Sequence, residues 1–562
     1  MNKKWEYYKQ DNDKVKYLKN KFNISELVAK VLVNRNIIDD EQVKVFLNPT
    51  RNDFYNPFLL KDMDIATERI VEAINKKEKV VIYGDYDVDG ITSISVLKKF
   101  LNERGLDVGY YIPNRLEEGY GLNENALDKI SSEKYTLMIT VDCGISGNDE
   151  IEYANKLGIE TIITDHHEPS NKIPNAFAVV NPKRHDSGYP FRGLAGVGVV
   201  FKLIQALSIK MKLEEKEFLK YLDLVCIGTI SDIVPLVDEN RVIASLGLRL
   251  VEVTKNIGLK ELLKSSKYKK IDSNAISFGI APRINACGRM GHAEQALQLF
   301  LTNNIVEATQ ITKSLNDYNI ERQNTEKRIL NEALNQLSKE NVNEKSAIVL
   351  GGENWHHGVI GIVASKITEM FYKPTILIGF EDGIGNGSGR SILGLDLHEA
   401  LGKTSQYLEK YGGHEMAVGL SLLQSEFDNF KKAFEEVVKE SHLDDIKPVI
   451  NIDAQINISN LNIETINQLS ILEPFGEANK MPIFEYKGLK IDSIRSLSDG
   501  KHLKVTLKDG NMWIDGIGFN MGSLVEDYRM GDKVDVACVM EINSFNNKEN
   551  IQLNIKDIRK SI

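Results

Sequence analysis

The texture of apolar and polar positions changes three times along the chain. From Val80 an uninterrupted β-branched run, VVIYG, is followed by the amphipathic stretch ITSISVLKKFL. A second run, YTLMITVDCG, leads into helix-like NDEIEYANKLG, and a third, IETIITD, comes next. Buried strands alternating with helical patterns at this spacing predict βαβ units and a parallel sheet. On such sheets ligands bind outside the carboxyl ends of the strands. Between about 290 and 345 the pattern is helical without strands, and LNDYNIERQNTEKRILNEALNQL predicts a long connecting helix. Strand signals return at SAIVLGG and PTILIGF, with amphipathic helices around GVIGIVASKITEMF and FDNFKKAFEEVVKE. They predict a second, smaller α/β domain ending near Leu443. Beyond Pro448 short alternating strands take over: FEYKGLKI, HLKVTLKD, MWIDGIGF, KVDVACVME and IQLNIKDI. In the second of these Leu503, Val505 and Leu507 share one face. Five strands in about 80 residues suit a small barrel of the OB type, although an SH3-like barrel or a small sandwich would give the same count.

The expected organisation is an N-terminal helical cap at 1–50, a parallel-sheet domain at 51–290, connecting helices at 291–344, an α/β domain at 345–445 and an OB-like domain at 446–562. No internal repeat interrupts it. The 70 basic residues face 80 acidic ones, a formal charge of −10, which excludes a globally basic coat. A nucleic-acid partner would have to be held in a locally basic groove or through metal ions. The four cysteines (Cys143, Cys226, Cys287 and Cys538) include no C-x-x-C pair, which argues against a disulfide framework, a zinc ribbon or a redox motif. A reducing, cytoplasmic setting is expected. The segment MNKKWEYYKQDNDK lacks the apolar core of a signal peptide, and no run approaches a membrane span, so no membrane partner is expected.

The most informative segment is VVIYGDYDVDG, where Asp85, Asp87 and Asp89 alternate directly after a buried strand. Carboxylates this close repel one another at neutral pH unless cations hold them. An EF-hand begins with the same D-x-D-x-D-G, but its twelfth position, counted from Asp85, is Val96 where the loop needs a bidentate glutamate. The next two runs end alike: one delivers Asp142, the other Asp165, His166 and His167. Asp232, in LVCIGTISDIVPL, closes another apolar run. Taken singly, each of these is as easily a helix cap or a satisfied buried polar group. Together, carboxylates with one or two imidazoles suit Mn²⁺ or Mg²⁺ rather than zinc. Five or six such ligands are enough for two ions about 3.5–4 Å apart, the arrangement that clamps the attacking and leaving oxygens of a phosphoester.

D-H-H on a strand end, preceded by D-Y-D-V-D-G and V-D-C-G, resembles the DHH phosphoesterase superfamily. Nearly end to end, the chain is similar to that superfamily's bacterial single-strand-specific 5′→3′ DNA exonucleases. The likeness also rests on NPFLLKDMD at 56–64, NPKR at 181–184, YPFRGLAGVGVVFKL at 189–203, GTISDIVPLVDENR at 228–241, APRINACGRMG at 281–291, NWHHGVIGIVASKI at 354–367, GSGRS at 387–391, GGHEMAVG at 412–419 and EPFGEANKMPIF at 473–484. The fold class it implies is α/β: a parallel-sheet DHH domain, a long connecting helix, a smaller α/β DHH-associated domain and a C-terminal β-barrel of OB type.

The resemblance carries metal ligation onto Asp85, Asp87, Asp89, Asp142, His166 and Asp232, for two ions of Mn²⁺ or Mg²⁺. His167 takes the position that approaches the substrate phosphate and completes the catalytic set, and Asp165 orients the imidazoles. GSGRS and GGHEMAVG fall in the DHH-associated domain. There, glycines that let backbone N–H groups approach an anion, the Ser388 hydroxyl and the Arg390 fork suit a 5′-terminal phosphate; the alternative is a surface turn with a solvated arginine. Arg115 could reach the same group, and Tyr120 could stack on a base. Arg283, Asn285 and Arg289 are expected along the path to the metals, unless they serve helix capping. His414 and His356 are expected at the nucleic acid or, as glycine-flanked histidines often do, satisfying tight turns. On the barrel, Lys501, His502, Lys504, Trp513 and Phe519 suit a strand-binding face, unless the two aromatics are core. The implied activity is hydrolysis of single-stranded DNA from a 5′-phosphorylated end to 5′-mononucleotides in repair and recombination, with a helicase and a single-strand-binding protein as candidate partners. A phosphodiesterase of short oligonucleotides or small nucleotides, a pyrophosphatase, and a non-catalytic single-strand-binding scaffold are the rivals.

Overall fold

Five short runs of apolar residues form one sheet because both of its faces are covered. Val80–Gly84 and Leu137–Val141 bury every residue, as a strand sandwiched between helices must. The computed structural model describes residues 3–115, 118–119, 121–443, 446–458, 461–545 and 548–561. In spatial order the strands are Val108–Tyr111, Val80–Gly84, Leu137–Val141, Glu160–Thr164 and Ala178–Val180, all parallel. The chain order is therefore second, first, third, fourth, fifth. The direction of winding reverses between Val80–Gly84 and Leu137–Val141, and a doubly wound sheet opens its ligand crevice at such a switch. Asp85 and Asp142 follow these two strands directly.

The helix Gly196–Lys210 buries nearly its whole length, as does Leu222–Ser231, which ends at Asp232. Continuous burial is why the apolar run before Asp232 has no helical period to read. The expected connector is Ile305–Leu337, whose 33 residues make a rod of about 50 Å. Its last turns, through Ile329, Ala333 and Leu337, pack with Val359, Ile360 and Val363 of the helix His357–Phe371. That helix lies beside a second sheet, ordered Lys410–His414, Ala417–Leu423, Ile384–Arg390, Thr375–Glu381 and Ile348–Glu353, with only the last pair parallel. Phe430, Phe434 and Val438 of the helix Phe427–Glu440 share a core with Ile376, Ile378 and Leu422 of that sheet.

These elements belong to one compact unit, residues 55–234 and 247–447; a second comprises residues 1–54, 235–246 and 448–562. In the second unit the strands Phe484–Leu497, His502–Asp509, Met512–Gly518, Lys533–Phe545 and Lys548–Lys560 close a barrel. Phe484–Leu497 pairs with both His502–Asp509 and Lys533–Phe545, and Met512–Gly518 pairs in parallel with Lys548–Lys560. Leu503, Val505 and Leu507 point inward and are fully buried. The first fifty residues belong to the unit that holds the barrel. Their strand Lys4–Tyr7 pairs with Val449–Ile452, and Leu18, Val31, Leu32 and Phe46 share the barrel's core with Phe484, Tyr486 and Leu507. The amphipathic pattern showed a buried face but not what buries it.

Arg241 joins three stretches of this unit. Its buried guanidinium donates to the carbonyl oxygens of Phe46 at 2.7 Å, Leu472 at 3.1 Å and Glu473 at 2.8 Å. An apolar replacement leaves the Phe46 and Glu473 carbonyls without this donor, so Arg241→Met is expected to destabilise this unit by about 3 kcal/mol or more. A lowered melting transition in calorimetry of the full chain checks this; an unchanged one refutes it.

Candidate metal centre and phosphate pocket

Each group at the centre is delivered by a chain segment leaving a regular element. After Val80–Gly84, the Asp85 carboxylate accepts the N–H of Tyr86 at 2.7 Å. Asp87 caps the helix Val88–Asn102, accepting from Gly90 at 3.0 Å. Asp89, in the first turn, accepts the N–H groups of Gly196 at 2.6 Å and Val197 at 2.8 Å, so the amino end of one helix holds a carboxylate from another. After Leu137–Val141, Asp142 adopts a left-handed backbone, φ 59°. After Glu160–Thr164, Asp165 accepts the N–H groups of Ile145 at 2.9 Å, His166 at 2.7 Å and His167 at 3.1 Å, and its carboxylate lies 2.7 Å from Nδ1 of His167. Asp165 thereby holds the His167 ring directly and the backbone of both histidines. Asn181 adds a further hold from the next strand end, donating to the His167 carbonyl at 3.0 Å.

His166 Nε2 lies 3.2 Å from Asp142, 3.6 Å from Asp232 and 3.9 Å from Asp89, and makes no hydrogen bond among the described residues. Three sets of ligand atoms each fall within 4.8 Å of one another: Asp142, His166 and His167; Asp89, His166 and Asp232; and Asp85, Asp87 and Asp142. The crowding depends on glycine. A Cβ at Gly196 would sit 2.5 Å from an Asp142 carboxylate oxygen, and one at Gly90 would sit 2.4 Å from the Asp85 carbonyl.

The electrostatics fit a bound cation. Burial and the charge of Asp87 push Asp85 well above the carboxylate range. The same two causes, offset by the Val197 and Gly196 N–H groups, raise Asp89 to about 7. Asp142 is raised well above its ordinary value by burial and by Asp89, Asp87 and Asp232. Burial, with Asp89 and Asp87, takes Asp232 to about 9. Burial and the neighbouring His167 lower His166 to about 3, which leaves a neutral imidazole with a lone pair to offer. His167 behaves oppositely: burial pulls it down, but the Asp165 hydrogen bond and the surrounding carboxylates outweigh burial and raise it. Acids kept protonated by burial and by one another, around a neutral imidazole, suit a hard cation.

A second cluster is cationic. Arg115 lies 5.0 Å over the Tyr86 ring. Arg289 donates to the Gly358 carbonyl at 2.8 Å, and burial together with Arg115, Arg322 and Arg390 lowers its guanidinium to about 10. Arg390 donates to Ser388 Oγ at 3.1 Å, and the pair lies against Gly361, where a Cβ would be 3.0 Å from the guanidinium. Cations gathered this closely suit a phosphate. GSGRS, however, is not a loop. It belongs to the strand Ile384–Arg390, whose backbone is paired on both sides and cannot cradle an anion. Gly385, Gly387 and Gly389 instead bring the strand down onto Phe380, Leu420 and Val418, leaving Ser388 and Arg390 on the opposite face.

Other expected residues fall elsewhere. The Asn285 carboxamide accepts the Val88 N–H at 3.2 Å and so buttresses the aspartate loop. Arg283, six positions from Arg289 on the helix Ala281–Arg289, faces away from it and donates to Asn316 at 2.6 Å. His356 caps its helix, accepting from Gly358 at 3.1 Å. His414 ends the exposed edge strand Lys410–His414. Tyr120 lies outside the described residues. On the barrel, Trp513 and Phe519 are 54% and 52% exposed, so neither is core; Lys508 lies 4.5 Å over Trp513, His502 packs edge-on against Phe519, and Lys504 pairs with Asp515. Sequence reasoning missed Arg322 because its i,i+4 pairing with Glu326 reads as ordinary helix surface. It also passed over Tyr86 and Gly196.

A switch-point sheet carrying this centre, joined by a long helix to a second α/β sheet, defines a DHH protein. The DHH family N-terminal domain matches residues 79–229, the DHHA1 domain 344–440 and the RecJ OB domain 452–557. The single-stranded-DNA-specific exonuclease RecJ of Bacillus subtilis is 39% identical over 560 residues, covering 99% of this chain and 70% of that protein. The crystal structure of RecJ with Mn²⁺ from Thermus thermophilus superposes with a TM-score of 0.86 at 29% identity, covering 100% of this chain and 80% of that one. Its Mg²⁺ complex gives 0.80 at 27% identity, covering 100% and 79%. The chain belongs to the RecJ family.

Carboxyl groups raised in the folded state bind more protons than in the unfolded chain between about pH 4 and about pH 9, so stability falls as pH rises through that window. The metal-free chain is expected to melt at a lower temperature at about pH 8 than at about pH 5, and Mn²⁺ should raise the melting temperature more at the higher pH. Equal metal-induced shifts at both pH values would contradict the assignment.

Proposed function

We propose that this chain is an exonuclease specific for single-stranded DNA, degrading it 5′→3′ to 5′-mononucleotides with two Mn²⁺ or Mg²⁺ ions held by Asp85, Asp87, Asp89, Asp142, His166 and Asp232. The observation that carries the proposal is His166 Nε2 among three carboxylates, 3.2–3.9 Å away, at the switch point of the sheet. When bound, the ions supply the charge that activates a water and stabilises the departing oxygen. The protein does the rest. Asp165 fixes the His167 imidazole and the backbone of His166, and His167, its proton affinity raised by Asp165, is placed to donate to a phosphate oxygen. Arg115, Arg289 and Arg390 with Ser388 hold the 5′-terminal phosphate, which sets the direction of travel. Their charge is local, which is how a chain of net charge −10 holds DNA. The barrel's exposed Trp513 and Phe519, flanked by Lys501, His502, Lys504 and Lys508, offer bases a stacking surface that tolerates any sequence. A helicase that supplies unwound strands and a single-strand-binding protein are the natural partners. Four buried free thiols suit a reducing cytoplasm.

With Mn²⁺ and an end-labelled single strand, the chain is expected to release mononucleotides from the 5′ end. Asp142→Ala should leave less than about a tenth of that turnover while the protein stays folded, because losing one acid relieves repulsion; higher residual activity refutes the ligand assignment. Arg390→Ala should reduce the preference for a 5′-phosphate over a 5′-hydroxyl end, and an unchanged ratio would place the phosphate elsewhere.

A further inference from the structure

Arg283 is an expected substrate residue that the metal centre does not use, and exposed aromatic and basic side chains lie near it. The guanidinium donates to Asn316 and to the Gly279 carbonyl. On Gly279 rests the ring of Tyr268, at 2.9 Å from where a Cβ would stand. Beside it Phe278 is 70% exposed, at the surface of the π-helical turn Ala275–Ile280, a form of helix frequent at functional sites. Tyr268 is itself 41% exposed and sits in the segment KSSKYKK, among Lys264, Lys267, Lys269 and Lys270. Of the nearby acids, Glu261 is paired with Lys264 at 2.5 Å, and Asp272 accepts the Ala275 N–H at 2.9 Å. Lys267 and Lys269 are exposed and form no ion pair among the described residues.

We infer that Tyr268, Phe278, Lys267 and Lys269 form a second contact for single-stranded DNA, separate from the metal centre and from the terminal-phosphate pocket. The inference rests on the exonuclease reading above and extends it. Phe278 and the outer face of Tyr268 offer rings on which bases of any sequence stack, and the flanking lysines neutralise the phosphates between them. An acidic peptide would engage the lysines but would leave both rings facing water.

The test uses the full chain with Ca²⁺ replacing Mn²⁺ to slow cleavage, and measures affinity for 5′-phosphorylated strands of two lengths, about 5 and about 40 nucleotides. Phe278→Ala with Tyr268→Ala should weaken binding of the long strand by about tenfold or more, the size expected for lost stacking, and leave the short strand unchanged. Lys267→Gln with Lys269→Gln, a surface change that keeps Tyr268 in place, should make the slope of log affinity against log salt shallower by about 1.4. With Mn²⁺ restored, all variants should still release mononucleotides from the short strand. Unchanged long-strand affinity and salt slope would overturn the inference while leaving the exonuclease reading intact. Failure of the unaltered chain to cleave any strand would overturn that reading instead. Loss of binding to a polyaspartate probe, without loss of strand binding, would give the surface to an acidic protein partner and also overturn the inference.

Discussion

The organising constraint of this protein is mutual repulsion among carboxylates that the fold buries together. Asp85, Asp89, Asp142 and Asp232 are all held above the ordinary carboxylate range by burial and by one another. Only part of that cost is met internally. Two N–H groups at the amino end of Gly196–Lys210 meet Asp89, and the Tyr86 N–H meets Asp85. His166 stays neutral and offers a lone pair rather than a charge. What remains is a demand for divalent cations, written into the positions of side chains that packing alone would never bring together.

The neighbouring arginines are the counterpart of that demand. Arg289 and Arg390 are half-buried near Arg115 with guanidinium groups below their ordinary value, so they are short of anions as the aspartates are of cations. In the proposed function a DNA strand answers both, its terminal phosphate at the arginines and an internal phosphate at the ions. On that proposal, end specificity rests on two charge clusters of opposite sign rather than on base-reading groups.

The βαβ texture, the long helix and the five barrel strands were legible because each buries a face with a regular period, as at Leu503, Val505 and Leu507. The candidate metal centre was legible because Asp85, Asp142 and the D-H-H stretch holding His166 each come directly after an apolar run. GSGRS misled because glycine spacing looks alike in a phosphate loop and in a strand pressed onto its neighbours; the pairing of Ile384–Arg390 on both sides decides between them. Arg283, Asn285 and Arg289 looked equivalent because nine residues of helix give no hint of which face meets which neighbour.

By itself the sequence determined which residues could carry charge at strand ends, and therefore that a hard-cation site was to be expected. Local pattern suffices for that, since the strand, its buried faces and the acid that follows are consecutive. Only tertiary structure decided how close those groups stand, that Gly196 and Gly90 leave room for them, and that the first fifty residues complete a barrel encoded at the other end of the chain. Such contacts join segments with no shared periodicity, and packing in three dimensions is the only place where they are specified.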